Sequence, residues 1–172
     1  MATIRLLTLD DVPALVRLYR ENQEFLAPWE PVRDDDFYTV DGHRAVVESA
    51  LARYEQGSAY PCVILNAAGT VAGRVNLNEI VHGAFQSANL GYWVSQADSG
   101  RGLATAAVRE IVAVAFGTLG LHRVQAGTLL HNHGSQRVLE RNGFTRIGFA
   151  PAYLKIAGRW QDHLLFQVIA PS

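Results

Sequence analysis

The sequence predicts an α/β fold built on a mixed, largely antiparallel sheet flanked by helices. Two observations carry that prediction. Two helical patterns are followed by two strand-like runs joined through a short polar connection, and the remaining half then reads β-α-β-α-β-β. Within that half, a strand passes through Gly100 and Gly102 straight into a helix rich in alanine and valine.

Each element has its own cause. Thr8-Leu9-Asp10-Asp11 is a helix start of the capping-box kind, and Val12, Leu15, Val16 and Tyr19 recur at helical spacing, so a helix is expected to about Arg20. Residues 22–36 carry Pro28, Pro31, Trp29 and the run Asp34-Asp35-Asp36, which predicts a loop with aromatic anchors. Over residues 41–56, Ala45, Val46, Ala50, Leu51 and Tyr54 predict a second helix, stopped by Gly57. Residues 61–65 and 71–81 read as a hairpin across Asn66-Ala67-Ala68-Gly69, with Gly83 ending the run. A strand over 89–95 and a helix over 105–119 follow, then a strand over 123–130 and a short helix over 134–141 stopped by Gly143. The C-terminal strands 153–156 and 163–168 are expected to pair across Ala157-Gly158. No repeat or linker divides residues 1–172, so one domain is expected.

Composition removes several function classes. A net charge of -1 offers no electrostatic footprint for nucleic acid. The longest apolar runs, around Ile111 to Phe116 and Leu164 to Ala170, are far short of the roughly 20 residues that span a bilayer. Met1 to Arg5 shows no apolar leader, so a cytoplasmic location is expected. A single cysteine, Cys62, sits in an apolar run and reads as a buried small hydrophobe, which excludes an internal disulfide. His131 and His133 flank Asn132, but no third ligand has metal spacing, and no metal is expected.

The turn Asp98-Ser99-Gly100-Arg101-Gly102-Leu103-Ala104-Thr105 is suited to an anion. Helix N-termini expose unpaired N–H groups and a partial positive charge, and glycines let backbone close around a phosphate. Arg101 and Arg137 could add direct charge. A dinucleotide fingerprint would need a third glycine where Thr105 stands and an acid at the end of the next strand, and residues 123–130 hold none. A P-loop or a pyridoxal Schiff base would need a lysine, and the only one, Lys155, lies in the C-terminal hairpin. An ordinary tight βα turn remains the plain alternative.

Ser99-Gly100-Arg101-Gly102-Leu103-Ala104 resembles the Gln/Arg-x-x-Gly-x-Gly/Ala turn of the GNAT (GCN5-related N-acetyltransferase) superfamily, departing from it at Ser99. Asn132-His133-Gly134-Ser135 and the terminal Gly143-Phe144 match the same family's second motif. Phe25-Leu26-Ala27-Pro28-Trp29-Glu30-Pro31, Leu90-Gly91-Tyr92-Trp93 and the stretch from Tyr153 to His163 extend the resemblance over nearly the whole chain, to the RimJ/RimL type of ribosomal-protein-alanine N-acetyltransferases and to its RimJ-like members above all. The resemblance implies a sheet splayed at the cofactor strand, acetyl-CoA as the donor, and an amine as the acceptor. Its pantetheine arm would pair with Trp93, Val94 and Ser95, its pyrophosphate would sit on the amides of Gly100, Arg101, Gly102, Leu103, Ala104 and Thr105, and Asn132, Ser135 and Arg137 would complete the cofactor site. Trp29, Glu30 and Tyr92 would lie on the substrate side.

Acetyl transfer needs a neutral amine in line with the thioester, a donor for the developing oxyanion and some proton acceptance. The backbone N–H of Val94 is the candidate oxyanion donor, and Ser135 the candidate hydrogen-bond donor to the departing sulfur. Asn132 could equally be a helix cap, and Ser135 a solvated first-turn residue. Some family members place a glutamate in the strand after Gly143-Phe144, but here that stretch reads Thr145-Arg146-Ile147-Gly148, with Leu154 further on. Glu30, and behind it Glu79 and Glu24, are the carboxylates left as bases acting through water. Weak base provision favours an α-amine, whose pKa of about 8 makes the neutral form easier to present than that of a lysine at about 10.4. Asp34, Asp35 and Asp36 would attract a basic protein tail or simply form a solvated loop. Three readings follow: acetylation of the N-terminal alanine or serine of a ribosomal protein, acetylation of a small amine, or an acetyl-CoA-binding module without turnover. Oligomeric state is not legible.

Overall fold

The computed structural model describes residues 3–172; Met1 and Ala2, part of the stretch read as lacking a leader, lie outside the described residues. Among the described residues seven strands form one sheet in the order β1-β2-β3-β4-β5-β7-β6. The strands are β1 (Ile4–Leu6), β2 (Tyr60–Leu65), β3 (Val71–Val81), β4 (Ser87–Val94), β5 (Arg123–Leu129), β6 (Thr145–Ile156) and β7 (Arg159–Ile169). Every neighbouring pair is antiparallel except β4 and β5. The helices are α1 (Val12–Glu21), α2 (Gln23–Leu26), α3 (Val40–Glu55), α4 (Leu103–Ala113) and α5 (His133–Arg141). This is the mixed α/β sheet with flanking helices that the element order predicts.

The helices cover both faces. On one face α1 and α3 bury Leu15, Val16, Tyr19 and Val47 against Val63 of β2. On the other, Val108 and Ile111 of α4 and Leu139 of α5 pack on Val75, Leu77, Val124 and Phe166. Each such side chain, taken fully out of water, contributes about 1.5–3 kcal/mol before entropy is counted. Asp11, nearly buried at the start of α1, is held by Arg5 at 2.7 Å and by the Thr8 backbone N–H at 2.9 Å.

Several boundaries differ from the sequence reading, each for a local reason. Strand β1 is absent from that reading because it has three residues, too few to show a period, and its place is set by pairing with β2. The expected loop over 22–36 contains the one-turn helix α2, since Gln23-Glu24-Phe25-Leu26 holds no breaker before Pro28. Helix α4 begins at Leu103 rather than Thr105 and passes at Val114–Thr118 into a π-helical turn instead of running on as α-helix. Strand β6 begins at Thr145, eight residues earlier than expected. Its last residues pair with Arg159 to Gln161, while His163 to Gln167 pair with Ala150 to Thr145. The turn forces that register: Ala157 (φ 52°) and Gly158 (φ 81°) form a two-residue left-handed connection that places Ile156 directly opposite Arg159. A bulge at Ala152 (φ 46°), between Ala150 and Leu154, then shifts the remainder.

Candidate active site

The site is built where the sheet comes apart. Strands β4 and β5 pair only at Ser87–Arg123, Ala88–Val124 and Asn89–Gln125. Beyond Asn89, β4 continues to Val94 paired only with β3, while β5 continues to Leu129 paired only with β7. Backbone groups alternate sides along a strand. The Ser95 N–H donates to the Ala72 carbonyl on the β3 side at 2.7 Å, so the N–H of Val94 faces the gap. Close seating of β3 on β4 is reserved by Gly73, where a Cβ would stand 2.1 Å from the Trp93 carbonyl oxygen.

At the end of β4 the glycine turn leads into α4. Gly100 (φ 76°) and Gly102 (φ 79°) are both left-handed, and a Cβ on either would meet no heavy atom within 4 Å. Glycine is favoured there by backbone conformation and not by crowding. Gly102 is the N-cap of α4 and has no side chain to cap with; the first backbone bond returns from the Ala106 N–H to the Gly102 carbonyl at 3.0 Å. The N–H groups of Leu103, Ala104 and Thr105 therefore head the helix without a capping acceptor, a cradle that fits a pyrophosphate. Ser95 and Ser99 serve the turn itself: the Ser95 hydroxyl donates to Asp98 and the Ser99 hydroxyl to the Ser95 carbonyl, each at 2.8 Å.

A cleft of about 420 Å³ runs from this turn to the gap, lined by Gly100, Gly102, Leu103, Ala104, Thr105, Val94, Asn132, Ser135 and Arg137 among others. Arg101 is exposed and lies outside that lining, whereas Arg141, Phe25 and Leu26, which the sequence reading did not single out for the cofactor, are part of it. Asn132 caps α5, its Oδ1 accepting the Ser135 N–H at 3.2 Å, and also lines the cleft. The Tyr92 hydroxyl stands 2.6 Å from Ser135 Oγ and 3.2 Å from the Ser135 carbonyl oxygen. Burial pushes the Tyr92 phenol up to about 12, with the Ser135 bond pulling weakly the other way, so it is a proton-bearing donor at neutral pH.

A second cavity of about 180 Å³ lies between β4, β5 and the segment after α2 and shares Leu26, Trp29, Tyr92, Trp93, Asn132 and Ser135 with the cleft. Its further walls include Glu30, Gly127, Leu154, Ile156 and His163. Trp93 is locked by an Nε1 bond to the Tyr19 hydroxyl at 2.9 Å, and the Trp29 ring lies 5.2 Å from that of His131. The Glu30 carbonyl accepts the Ala157 N–H at 2.9 Å, tying the segment after α2 to the β6–β7 turn. Burial raises the Glu30 carboxyl above its ordinary value, and Arg33 offsets part of that. Glu24 and Glu79 line neither cavity, and Glu79 accepts from the Asn89 side-chain amide. Among the described residues no three His, Cys, Asp or Glu side chains stand where they could hold a metal. Among the described residues no helix is long and apolar enough to cross a membrane. Cys62 is buried, its thiol pushed up to about 12 by desolvation.

Comparison with known proteins gives the arrangement a lineage. Residues 2–145 match the family described as "Acetyltransferase (GNAT) domain". A Bacillus subtilis protein named "Probable N-acetyltransferase YjcK" is 38% identical over 98% of this chain and 94% of its own length. The Escherichia coli ribosomal protein uS5-alanine N-acetyltransferase is 34% identical over 98% of this chain and 88% of its own. The structure of Mycobacterium smegmatis RimJ in complex with CoA-disulfide superposes with a TM-score of 0.93 at 32% identity, covering 97% of this chain and 81% of that one. The match over residues 2–145, with relatives 38% and 34% identical over 98% of the chain, shows that the chain belongs to the GNAT family of acetyl-CoA-dependent N-acetyltransferases.

Proposed function

We propose that the protein acetylates the α-amine of a protein N-terminus, that of a ribosomal protein, by direct transfer from acetyl-CoA. The observation that carries this reading is the wall that the two cavities share, formed by Trp29, Tyr92, Trp93, Asn132 and Ser135. A donor entering from the glycine turn and an acceptor entering by the second cavity would meet at the open edge of β4. Acetyl-CoA supplies the activated acyl group. The amides of Leu103, Ala104 and Thr105, with Arg137 beside them, hold its phosphates; Asn132 and the β4 edge around Trp93 and Val94 hold the pantetheine. The Val94 N–H faces the gap as donor to the thioester oxygen, where a preorganised donor acts on charge that develops during reaction. When the phenol of Tyr92 donates to its Oγ, Ser135 keeps its own hydrogen for the departing sulfur.

Two supports favour an α-amine. The acceptor-side cavity is small, and its only carboxylate, Glu30, is far too weak a base to strip a proton from a lysine-like ammonium. Presenting a neutral lysine at neutral pH costs about 3 kcal/mol more than presenting a neutral α-amine. The Escherichia coli relative acts on the alanine of a ribosomal protein. Asp34 and Asp35, exposed on the segment that follows Trp29 and Glu30, suit the basic sequence such a substrate brings.

The test is thiol release from acetyl-CoA with peptides starting in alanine or serine, their lysines blocked, beside a panel of small amines. Mass spectrometry of ribosomal proteins from cells with and without the protein accompanies it. Turnover of the peptides and an acetylated N-terminus that disappears with the protein are expected. Turnover with small amines alone overturns the acceptor assignment.

A further inference from the structure

We propose that His163 is the group that takes the proton from the acceptor amine, an assignment that rests on the acetyl-transfer reading above. The residue lies on β7, opposite Leu129 of β5 and Ala150 of β6, and it lines the acceptor-side cavity although only 3% of its surface is exposed. Its Nδ1 stands 2.9 Å from the Gln161 carbonyl oxygen. A carbonyl oxygen only accepts, so Nδ1 carries the hydrogen and the neutral ring keeps its lone pair on Nε2. No protein group among the described residues donates to Nε2. Gly127 on β5 lies beside the ring: a Cβ there would come into van der Waals contact, 3.6 Å from Cδ2 of His163 and 3.8 Å from the Tyr153 ring. An imidazole fixed from behind in one tautomer, lining a cavity and with a basic nitrogen that is neither partnered nor wholly buried, is suited to act as a general base.

The position also answers a need. The stretch Thr145 to Gly148 carries no carboxylate, and Glu30 is contributed by a different wall, the segment after α2. In the step assigned here, the amine nitrogen passes a proton to Nε2 as it forms the C–N bond to the acetyl carbon. The C–S bond breaks, and coenzyme A leaves as a thiolate hydrogen-bonded by Ser135 that takes its proton from solvent. The imidazolium then returns its proton to water. The titratable groups around the ring are Tyr153 from β6, at 5.6 Å between ring centroids, Tyr92 from β4 and Glu30 from the segment after α2. Asp162 is next in sequence, but its carboxylate is taken up by the Ala152 N–H at 2.8 Å.

The experiment compares wild type, H163N, H163Q and E30Q with an alanine-terminated peptide, recording kcat, both KM values and the pH dependence of kcat, alongside acetyl-CoA affinity by calorimetry. Asparagine at 163 can still donate to the Gln161 carbonyl, so a purely structural histidine is rescued by it. Expected for both His163 variants is a fall in kcat of about 100-fold or more, loss of the rising limb of the pH profile, and acetyl-CoA affinity within about threefold of wild type. In E30Q the rising limb stays. Activity of H163N within about threefold of wild type, or a rising limb kept in H163N or H163Q, overturns the assignment. So does a wild-type profile with no rising limb at all, which decides the matter even if a variant misfolds. A wild type that releases no thiol with any α-amine sinks the parent reading instead, and the two failures are therefore distinguishable.

Discussion

The Tyr92 hydroxyl and Ser135 Oγ, 43 positions apart in sequence, stand 2.6 Å from each other at the junction of the two cavities. The phenol can give its single hydrogen to Oγ or to the Ser135 carbonyl, and the shorter contact is to Oγ. Removing the phenol lets the serine hydroxyl rotate. Y92F is expected to lower kcat by about tenfold, the size of one hydrogen bond, with KM for acetyl-CoA nearly unchanged. S135A should cost at least as much, and the double variant no more than S135A alone, because both act through one hydrogen. Steady-state kinetics on the three variants check this; strictly additive losses would show that the two side chains act separately.

The glycine turn makes a graded prediction. At Gly102 nothing crowds a Cβ, so the cost of substitution comes from φ 79° alone. Asparagine should be tolerated best, alanine less, and the β-branched valine least. The affinity for acetyl-CoA is expected to fall in the same order, by about tenfold for G102A, since about 1 kcal/mol or more of strain must be relieved by moving the amides of the cradle. Calorimetric titration gives the ranking, and equal losses for asparagine and valine would contradict it.

His43 makes stability depend on pH. It is fully buried in α3, with rings of Tyr19 and Phe37 against it and its Nδ1 3.1 Å from the Phe37 carbonyl. Burial lowers its pKa, the Phe37 carbonyl opposes that, and Arg74 and Arg33 lower it further. A histidine whose folded pKa lies below 6.5 binds its proton more readily when unfolded. Its contribution is therefore fully present above pH 6.5 and is lost as the pH falls below it, at up to about 1.4 kcal/mol per pH unit. Urea melts between pH 7 and 5 should show this slope, and H43N, which keeps a donor toward Phe37, should flatten it. Asp11 acts in a separate, more acidic window. Burial would raise its pKa, yet hydrogen bonds from Arg5 and Thr8 bring it below 3.8, so its contribution goes only as the pH falls through that range.

Asp34 and Asp35 are the residues on which to test acceptor steering. Asp36 is unsuited to the purpose, because its backbone carbonyl takes the Thr39 hydroxyl at 2.8 Å and packs against Gly42. D34K/D35K should raise KM for a basic peptide several-fold at low salt and leave KM for acetyl-CoA unchanged, with the difference shrinking at high salt. An equal rise in both constants would point to a folding defect.

Legibility in the sequence followed the range of the interactions concerned. The glycine turn, the Asn132 cap and the β2–β3 hairpin are local, and their residues announce them. Short or register-dependent features were hidden: β1 has too few residues to show alternation, and the β6–β7 register turns on one bulge at Ala152. Relations across the chain could not be read at all. The resemblance puts Tyr92 on the substrate side but says nothing of its bond to Ser135, and His163 stands in the sequence only as the last residue of a motif, because nothing near it tells that it borders the same cavity as Glu30 and Tyr92.

The three-residue seam between β4 and β5 has one more consequence. It divides seven strands into a four-stranded and a three-stranded plate, and the edge of β4 beyond Asn89 keeps backbone groups that a complete sheet would spend on a neighbour. A slender amide-bearing ligand lying along that edge acts as an eighth strand. A donor bound there would bridge the two plates, so the free energy of binding should reappear as added thermal stability and as slowed amide exchange on both plates.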